Sequence, residues 1–272
     1  MKNKRKLLAS PFVIWSVAFI IIPLGMIFYY GLTDKTGAFT LENIMSIASE
    51  QHSKALGLSL LLSFISTAIC LLLGYPLAAI LSKMSKNQHS MIVLIFILPM
   101  WMNFLLRTLA WQTLLEKTGV INSILSFLRL PTLNMINTPG AIVFGMVYNF
   151  LPFMVLPLYN SITKIDQNVI NAAYDLGANG VQTFMKVILP LSIPGIISGI
   201  TMVFVPALTT FVISSLLGGS KILLIGNVIE QQFTQVGNWH LGSGLSIVLM
   251  LFIIINMIVT SLFDKDGEGA ML

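Results

Sequence analysis

Six long apolar stretches leave this chain few ways to fold in water. They lie at about residues 12–30, 55–81, 91–106, 138–158, 192–217 and 245–263, and most approach the roughly 20 residues that a helix needs to cross a bilayer. Of all residues 56% are hydrophobic and only 9% are charged, whereas a soluble domain carries about 25% charged residues. The sequence therefore predicts an all-α integral membrane protein, with six transmembrane helices in a single domain of residues 1–272.

The first apolar stretch is predicted to stay in the membrane as a helix. It is longer than the ~7–15 apolar residues of a signal peptide, and no small-x-small cleavage site follows it. Lys2, Lys4, Arg5 and Lys6 precede it and favour a cytoplasmic N-terminus. An even number of spans then returns the C-terminus to the same side. The bias of basic residues over the other loops is modest, so the inverted orientation remains an alternative.

The sequence also predicts the structure of two segments on the predicted outer side. Residues 111–130 have the apolar spacing of an amphipathic helix at the outer interface. Residues 218–229 open with two glycines and continue as an apolar run, which either turns back towards the membrane or lies on the surface as a loop. Arg107 is expected to anchor a helix end at the interface, and Cys70, in the middle of a span, to be a packing residue.

The most specific motif lies in the polar segment 159–191, between the fourth and fifth spans. Residues 171–177 read Asn-Ala-Ala-Tyr-Asp-Leu-Gly, and nine residues later comes Val-Ile-Leu-Pro at 187–190. Asp166 can cap a first helix, and Gly177 with Asn179 and Gly180 can break it. A second helix over about residues 181–188 completes a rigid helix–turn–helix that a soluble partner can engage.

This motif resembles the cytosolic docking loop of ATP-binding-cassette (ABC) importer permeases. Their pattern is Glu-Ala-Ala, three residues, Gly, nine residues, Ile, any residue, Leu-Pro. Here Asn171 replaces the Glu and Val187 the Ile, which removes one charged contact but not the turn. The resemblance implies the type I ABC importer permease fold, with a cytosolic coupling helix between spans 4 and 5. It assigns contact with the ATPase to residues around the turn: Asn171, Ala172, Ala173, Asp175, Leu176, Gly177, Ala178 and Phe184.

Further stretches resemble the spermidine/putrescine permeases of the PotB type, and together they extend the resemblance over essentially the whole chain. They are residues 73–76, 98–103, 151–159 and 218–227. The resemblance implies a polyamine importer in the plasma membrane of a prokaryote, working by alternating access. Its other parts would be two ATPase subunits of the PotA type, a second permease of the PotC type and an extracytoplasmic binding protein of the PotD type.

The sequence carries none of the patterns expected of an enzyme. It has no G-x-x-x-x-G-K-[ST] loop to hold nucleotide phosphates, no His/Cys cluster for a metal and no Ser/His/Asp set for hydrolysis. We therefore expect the chain to be no enzyme and to hold no cofactor. ATP and Mg²⁺ would bind to the partner ATPase.

The six spans contain no acidic residue, although polyamine ammonium groups are costly to desolvate without compensation. We therefore expect the substrate to pass along aromatic faces and carbonyl groups, with cation–π contacts of roughly 0.5–2 kcal/mol each. The candidates for this pathway are Trp101, Asn103, Tyr148 and Tyr159. For the aromatic residues, helix packing or a place in the interfacial belt is the alternative.

Two other functions remain open at this point. The first is an ABC permease for another small solute, such as an iron, sulfate or phosphate type of substrate. An anion pathway would predict basic residues deep within the spans, and the spans contain none. The second is a stand-alone secondary transporter, which would show an intramembrane ionisable residue or an inverted repeat, and neither is found.

Overall fold

The computed structural model describes residues 11–84 and 100–263, and these are predominantly helical. We number the helices in chain order: α1 Pro11–Gly31, α2 Glu42–Met45, α3 Glu50–Ser82, α4 Phe104–Leu115, α5 Val120–Phe127, α6 Pro139–Thr163, α7 Gln167–Asp175, α8 Gly180–Leu191, α9 Ile193–Thr209, α10 Val212–Leu217, α11 Ile225–Gln231 and α12 Trp239–Phe263.

Four of the described helices are long and apolar enough to cross a membrane, namely α1, α3, α6 and α12. Helices α8 and α9 meet at an angle of 63° and give a fifth span if they are taken together. Most of the predicted third span, 91–106, lies outside the described residues, as do the N-terminal basic cluster, Lys86 and Lys265. The all-helical class is confirmed, whereas the count of six spans and the single domain remain predictions.

The chain divides into two compact units. Of the described residues, one unit comprises 11–55 and Val228–Ile253, and the other comprises those of Leu56–Asn227 and 254–263. In the first unit, side chains bind the carbonyl groups that the end of α1 leaves free. His240 Nδ1 lies 3.0 Å from the carbonyl oxygen of Tyr30, and Asn43 Nδ2 donates to the carbonyl oxygen of Gly31 over 3.4 Å. The end of α1 is thus fixed by groups distant in sequence.

In the second unit, α6 and α9 form the centre of the core. Two glycines of α9 face α6 and allow the two helices to approach closely. A Cβ atom on Gly199 would lie 2.6 Å from Met154 Sδ, and one on Gly195 would lie 2.8 Å from the carbonyl oxygen of Pro157. Small residues serve this purpose in membrane helices, where close backbone approach strengthens dispersion contacts. This helix pair holds both ends of the polar segment 159–191.

The fifth predicted span is interrupted. Helix α9 ends at Thr209, Thr210 is extended with ψ of 138°, and α10 begins at Val212. The chain then turns back so that Leu224 and Ile225 are buried, with the Ile225 N–H donating to Ser59 Oγ over 2.8 Å. The surface-loop alternative for residues 218–229 is therefore wrong for 224–227, which lie in the core of this unit.

Asn227 holds this interruption in place. Its side chain is 3% exposed and bonds through both of its polar atoms. Oδ1 accepts from the Leu224 N–H over 3.1 Å and from Ser214 Oγ, while Nδ2 donates to the Phe211 carbonyl over 3.0 Å and to Ser215 Oγ over 2.7 Å. A single buried amide thus joins the break after α9, the helix α10 and the returning segment.

We expect Asn227→Leu to destabilise the permease by about 2–3 kcal/mol, because the buried Leu224 N–H loses its acceptor. Thermal unfolding of the purified protein in detergent would show this as a lower Tm. Asn168→Leu makes the same chemical change at an exposed position and should leave Tm nearly unchanged. Equal Tm values for the two variants would contradict the stabilising role of Asn227.

Residues 111–130 do not form the single amphipathic helix that the sequence predicts. Helix α4 ends at Leu115 and α5 begins at Val120, with a tight turn between them. The turn requires glycine, since a Cβ on Gly119 would lie 2.7 Å from the Leu114 carbonyl oxygen. Asn122 then fixes the turn by donating to the Glu116 carbonyl over 3.1 Å. The apolar spacing of this region is therefore shared between two short helices.

Arg107 also differs from expectation. Its side chain does not extend outward as an interfacial anchor but is only 8% exposed. The guanidinium carbon lies 5.8 Å from the centre of the Tyr148 ring, a distance at which a cation and an aromatic face attract each other. The rings of Trp111 and Tyr148 also pack edge to face, with their centres 5.1 Å apart.

Candidate coupling site

The polar segment 159–191 forms the predicted helix–turn–helix, and local capping explains each of its boundaries. Helix α7 begins after Asp166, whose Oδ1 accepts from the Asn168 N–H over 2.9 Å. At its other end, Gly177 adopts φ of +83°. The Gly177 N–H donates to the Tyr174 carbonyl over 2.9 Å and the Ala178 N–H to the Ala173 carbonyl over 3.0 Å. This bond pair is a Schellman motif, which favours glycine at the left-handed position.

Helix α8 begins with a capping box that sequence reasoning missed. Asn179 Oδ1 accepts from the Gln182 N–H, and Gln182 Oε1 accepts from the Asn179 N–H, each over 2.9 Å. The spacing of Asn179 and Gln182 is the signal that could have located this helix start. The Schellman turn at Gly177 and the cap at Asn179 are separated by Ala178 alone, so the connection between the two helices is short and firmly defined.

Large apolar side chains of this segment are exposed. Leu176, at the turn, is 89% exposed and Val181, at the start of α8, is 73% exposed. We call the exposed large apolar residues between positions 167 and 185 the docking surface: Val169, Tyr174, Leu176, Val181 and Met185. Exposed apolar groups gathered on a short polar segment are typical of a protein–protein contact.

The predicted coupling residues fall into two groups. Most are open to a partner: Asn171, Ala172, Asp175, Leu176 and Gly177 are exposed, and Ala173 and Ala178 are half-buried. At Asn171, where the resembling family has Glu, Oδ1 accepts from Gln167 Nε2 over 3.3 Å. Over residues 171–182 the turn therefore carries one charged side chain, Asp175, among apolar and neutral polar ones.

Phe184 belongs to the other group, because it faces the inside of the unit. Its ring meets the ring of Tyr75 on α3 edge to face, with centres 5.5 Å apart. The Tyr75 hydroxyl in turn shares a buried hydrogen bond of 2.7 Å with Ser192 Oγ. Ser192 lies at the 63° bend between α8 and α9. Phe184 thus fastens the helix–turn–helix to the transmembrane core, a role that sequence reasoning did not assign to Tyr75 or Ser192.

The four pathway candidates do not form one site. Tyr148 and Tyr159 are eleven positions apart on α6, which is about 16 Å along a helix. Asn103 Oδ1 is used as the cap of α4, accepting from Leu105 N–H over 2.9 Å, and Tyr159 packs against the hydrophobic core. Trp101 is 76% exposed. The structure places the four side chains in different surroundings.

Comparison with known proteins places the chain among transport proteins. Residues 6–265 match the family described as "Binding-protein-dependent transport system inner membrane component". The spermidine/putrescine transport system permease protein PotB of Haemophilus influenzae is 36% identical, over 98% of each chain. PotB of Escherichia coli is 38% identical, over 93% of this chain and 97% of its own.

Solved structures with the same fold are also ABC transporters. A bacterial alginate ABC transporter, in complex with an alginate pentasaccharide-bound periplasmic protein, matches with a TM-score of 0.80 and 17% identity, over 100% of this chain and 98% of its own. The inward-facing MetNI methionine ABC transporter matches with a TM-score of 0.57 and 17% identity, over 79% and 97%. These likenesses show the type I ABC permease fold. Since the family match covers nearly all residues, the chain belongs to the binding-protein-dependent transport system inner membrane component family.

Proposed function

We propose that this chain is the permease subunit of an ATP-driven importer of polyamines, spermidine or putrescine, and forms half of its translocation pathway. The observation that carries the proposal is the 36–38% identity, over nearly the full length, to PotB permeases. The stretches on which the sequence resembles that branch lie in several different helices, so the likeness is not confined to the docking loop that ABC importers share.

The proposed importer has four further parts. Two ATPase subunits of the PotA type bind ATP and Mg²⁺, so that this chain is itself no enzyme and holds no cofactor. A second permease of the PotC type completes the pathway, and a binding protein of the PotD type delivers the polyamine from outside. Both termini of the chain lie in the cytoplasm, on the side of the docking surface.

The coupling residues act in two ways in this proposal. The docking surface, with Asn171, Ala172 and Asp175 beside it, contacts the ATPase. Phe184, through Tyr75 and Ser192, transmits its displacement to α9. ATP closes the ATPase dimer and so favours one of two arrangements of the permeases, and hydrolysis restores the other. None of the docking-surface residues is charged. An apolar contact is sufficient to carry the movement of the ATPase to the permease.

Of the four pathway candidates, Trp101 best suits a passing cation. Tyr148 already has the Arg107 guanidinium against its ring, and a fixed positive charge repels an ammonium group. Tyr159 and Asn103 are engaged in the core and in a helix cap. The ring of Trp101 is exposed, and a cation–π contact of roughly 0.5–2 kcal/mol is weak enough to allow release.

Reconstitution tests the proposed function. The chain is co-expressed with the ATPase, the second permease and the binding protein, placed in liposomes and assayed for ATP-dependent uptake of radiolabelled spermidine. We expect uptake that needs all four components and that putrescine, but not phosphate or sulfate, competes with. Assembly and ATPase activity without polyamine uptake would overturn the substrate. Uptake by this chain alone would overturn its role as a permease subunit.

A further inference from the structure

A cavity of about 800 Å³ lies where the last turns of α6 and the first turns of α9 meet the helix–turn–helix. Its polar lining comes from Asn160 and Ser161 on α6, Ser198 on α9, and Lys164 and Asp166 at the start of the polar segment. Its apolar lining includes Phe153, Leu156 and Met202. The cavity therefore combines a polar end beside α7 with an apolar wall that runs along the two transmembrane helices.

This lining matches the chemistry of an alkyl diammonium ion. Such an ion has ammonium groups that need oxygen acceptors, separated by methylene groups that prefer an apolar wall. Asp166 uses Oδ1 to cap α7, and a carboxylate retains further acceptor positions. Asn160 and Ser198 offer neutral oxygens. Lys164 is exposed, and its long flexible stem lets the ammonium turn to water.

The aromatic residue next to Asn160 does not line this cavity. Tyr159 packs against the hydrophobic core, whereas its neighbour Asn160 is exposed and faces the cavity. Successive residues of a helix point about 100° apart, so only one of the two can face the opening. At this end of α6 the polar residue, and not the aromatic one, is in a position to meet a ligand.

Coupling to the ATPase follows from which residues form the wall. Asp166 caps α7, and Val169 belongs both to the cavity lining and to the docking surface. Leu191 and Pro194, on either side of the bend at Ser192, line the cavity as well. Any displacement of α7 or of the bend therefore changes the shape of the cavity.

Resting on the proposed function, we propose that this cavity is a polyamine-binding subsite at the cytosolic exit of the pathway, in which Asn160, Ser198 and Asp166 bind ammonium groups. Movement of the docking surface opens and closes it. Substrate leaves for the cytoplasm past the cap of α7.

The first test is cysteine labelling of the assembled transporter. The chain has a single cysteine, Cys70, which is buried, and Cys70→Ala removes it. In that background Ser198→Cys is treated with a trimethylammonium methanethiosulfonate reagent from the ATPase side, and modification is read from the mass of this chain. We expect spermidine, at about four times its dissociation constant, to slow the modification roughly fivefold. NaCl of equal ionic strength should leave the rate of modification unchanged. Ile200→Cys, on the same helix but packed against the core, should remain unmodified.

The second test separates the charge of Asp166 from its role as a cap. Asparagine caps a helix about as well as aspartate, so Asp166→Asn keeps α7 but loses the carboxylate. We expect the spermidine concentration that gives half-protection of Ser198→Cys to rise about threefold, as befits an exposed and partly screened charge. Glu116→Gln, a neutralisation at the turn between α4 and α5 and outside the cavity, should leave that concentration unchanged.

Two outcomes would overturn the inference while leaving the proposed function intact, provided that the cysteine-free transporter still takes up spermidine. Ser198→Cys that stays unmodified would show that another subunit fills the cavity. Modification that proceeds equally fast with and without spermidine would show that no polyamine binds there. Absence of spermidine uptake by the wild-type transporter would instead refute the proposed function, whatever the labelling shows.

Discussion

Gly177→Val is expected to abolish ATP-driven uptake while the chain still inserts into the membrane. Gly177 has φ of +83°, and an L-residue in the left-handed region costs roughly 1–2 kcal/mol, with β-branched residues among the least tolerated. Valine would favour an extended backbone, break the Schellman bonds and swing α8 away from α7. Uptake by reconstituted transporter, with the amount of inserted chain measured in the same vesicles, checks this result.

The surroundings of Gly177 make the interpretation simple. A Cβ atom there would have nothing within 4 Å, so within this chain the effect of a side chain comes from the backbone and not from a clash. Asparagine tolerates the left-handed region better than other non-glycine residues, and Gly177→Asn should retain much of the uptake. Normal uptake by the valine variant would refute the coupling role of this turn.

Leu176→Glu should have a comparably large effect by a different route. Leu176 is 89% exposed, so the isolated chain gains or loses little when the residue changes. In the docked complex the same residue would be buried against the ATPase, where an unpaired charge is strongly unfavourable. Loss of a central apolar contact costs about 2–4 kcal/mol, which corresponds to roughly 30- to 1,000-fold weaker association. The amount of ATPase that co-purifies with the permease measures this loss of association.

Asn168→Glu provides the matched control for this charge. Asn168 is exposed and lies in the first turn of α7, where a negative charge stabilises the helix. The control variant should retain the ATPase, and both variants should unfold at the temperature of the wild-type permease. If Leu176→Glu retains the ATPase as well, then Leu176 lies outside the docking contact.

The parts of the fold that could be predicted from sequence are those set by solvent or by neighbouring residues. Lipid requires long apolar helices, and α1, α3, α6 and α12 each cover one of the predicted stretches. Helix caps and helix ends could be predicted from the sequence equally well. The cap by Asp166 and the break at Gly177 depend only on residues a few positions away, and both are confirmed by the structure.

The features that could not be predicted depend on contacts between distant residues. The residues near Thr210 do not predict the interruption of the fifth span. The break is stabilised by Asn227, which lies beyond α10 in the sequence. Tyr75 and Ser192 are separated by 117 positions and still share a hydrogen bond. The candidate site shows the same division. The turn is visible in the sequence, whereas the inward position of Phe184 and the cavity beside α7 are set by how α6, α9 and α3 pack.

The bend at Ser192 makes α9 a lever arm. Its 17 residues span about 25 Å at 1.5 Å per residue, with the bend at one end and the interruption at Thr210 at the other. If the helix turns as a rigid body, a rotation of about 10° at the bend displaces the far end by about 4 Å. That distance is about the width of an alkyl chain. A small tilt imposed at the cytosolic end is therefore geometrically sufficient to open or close a passage for a thin, linear substrate.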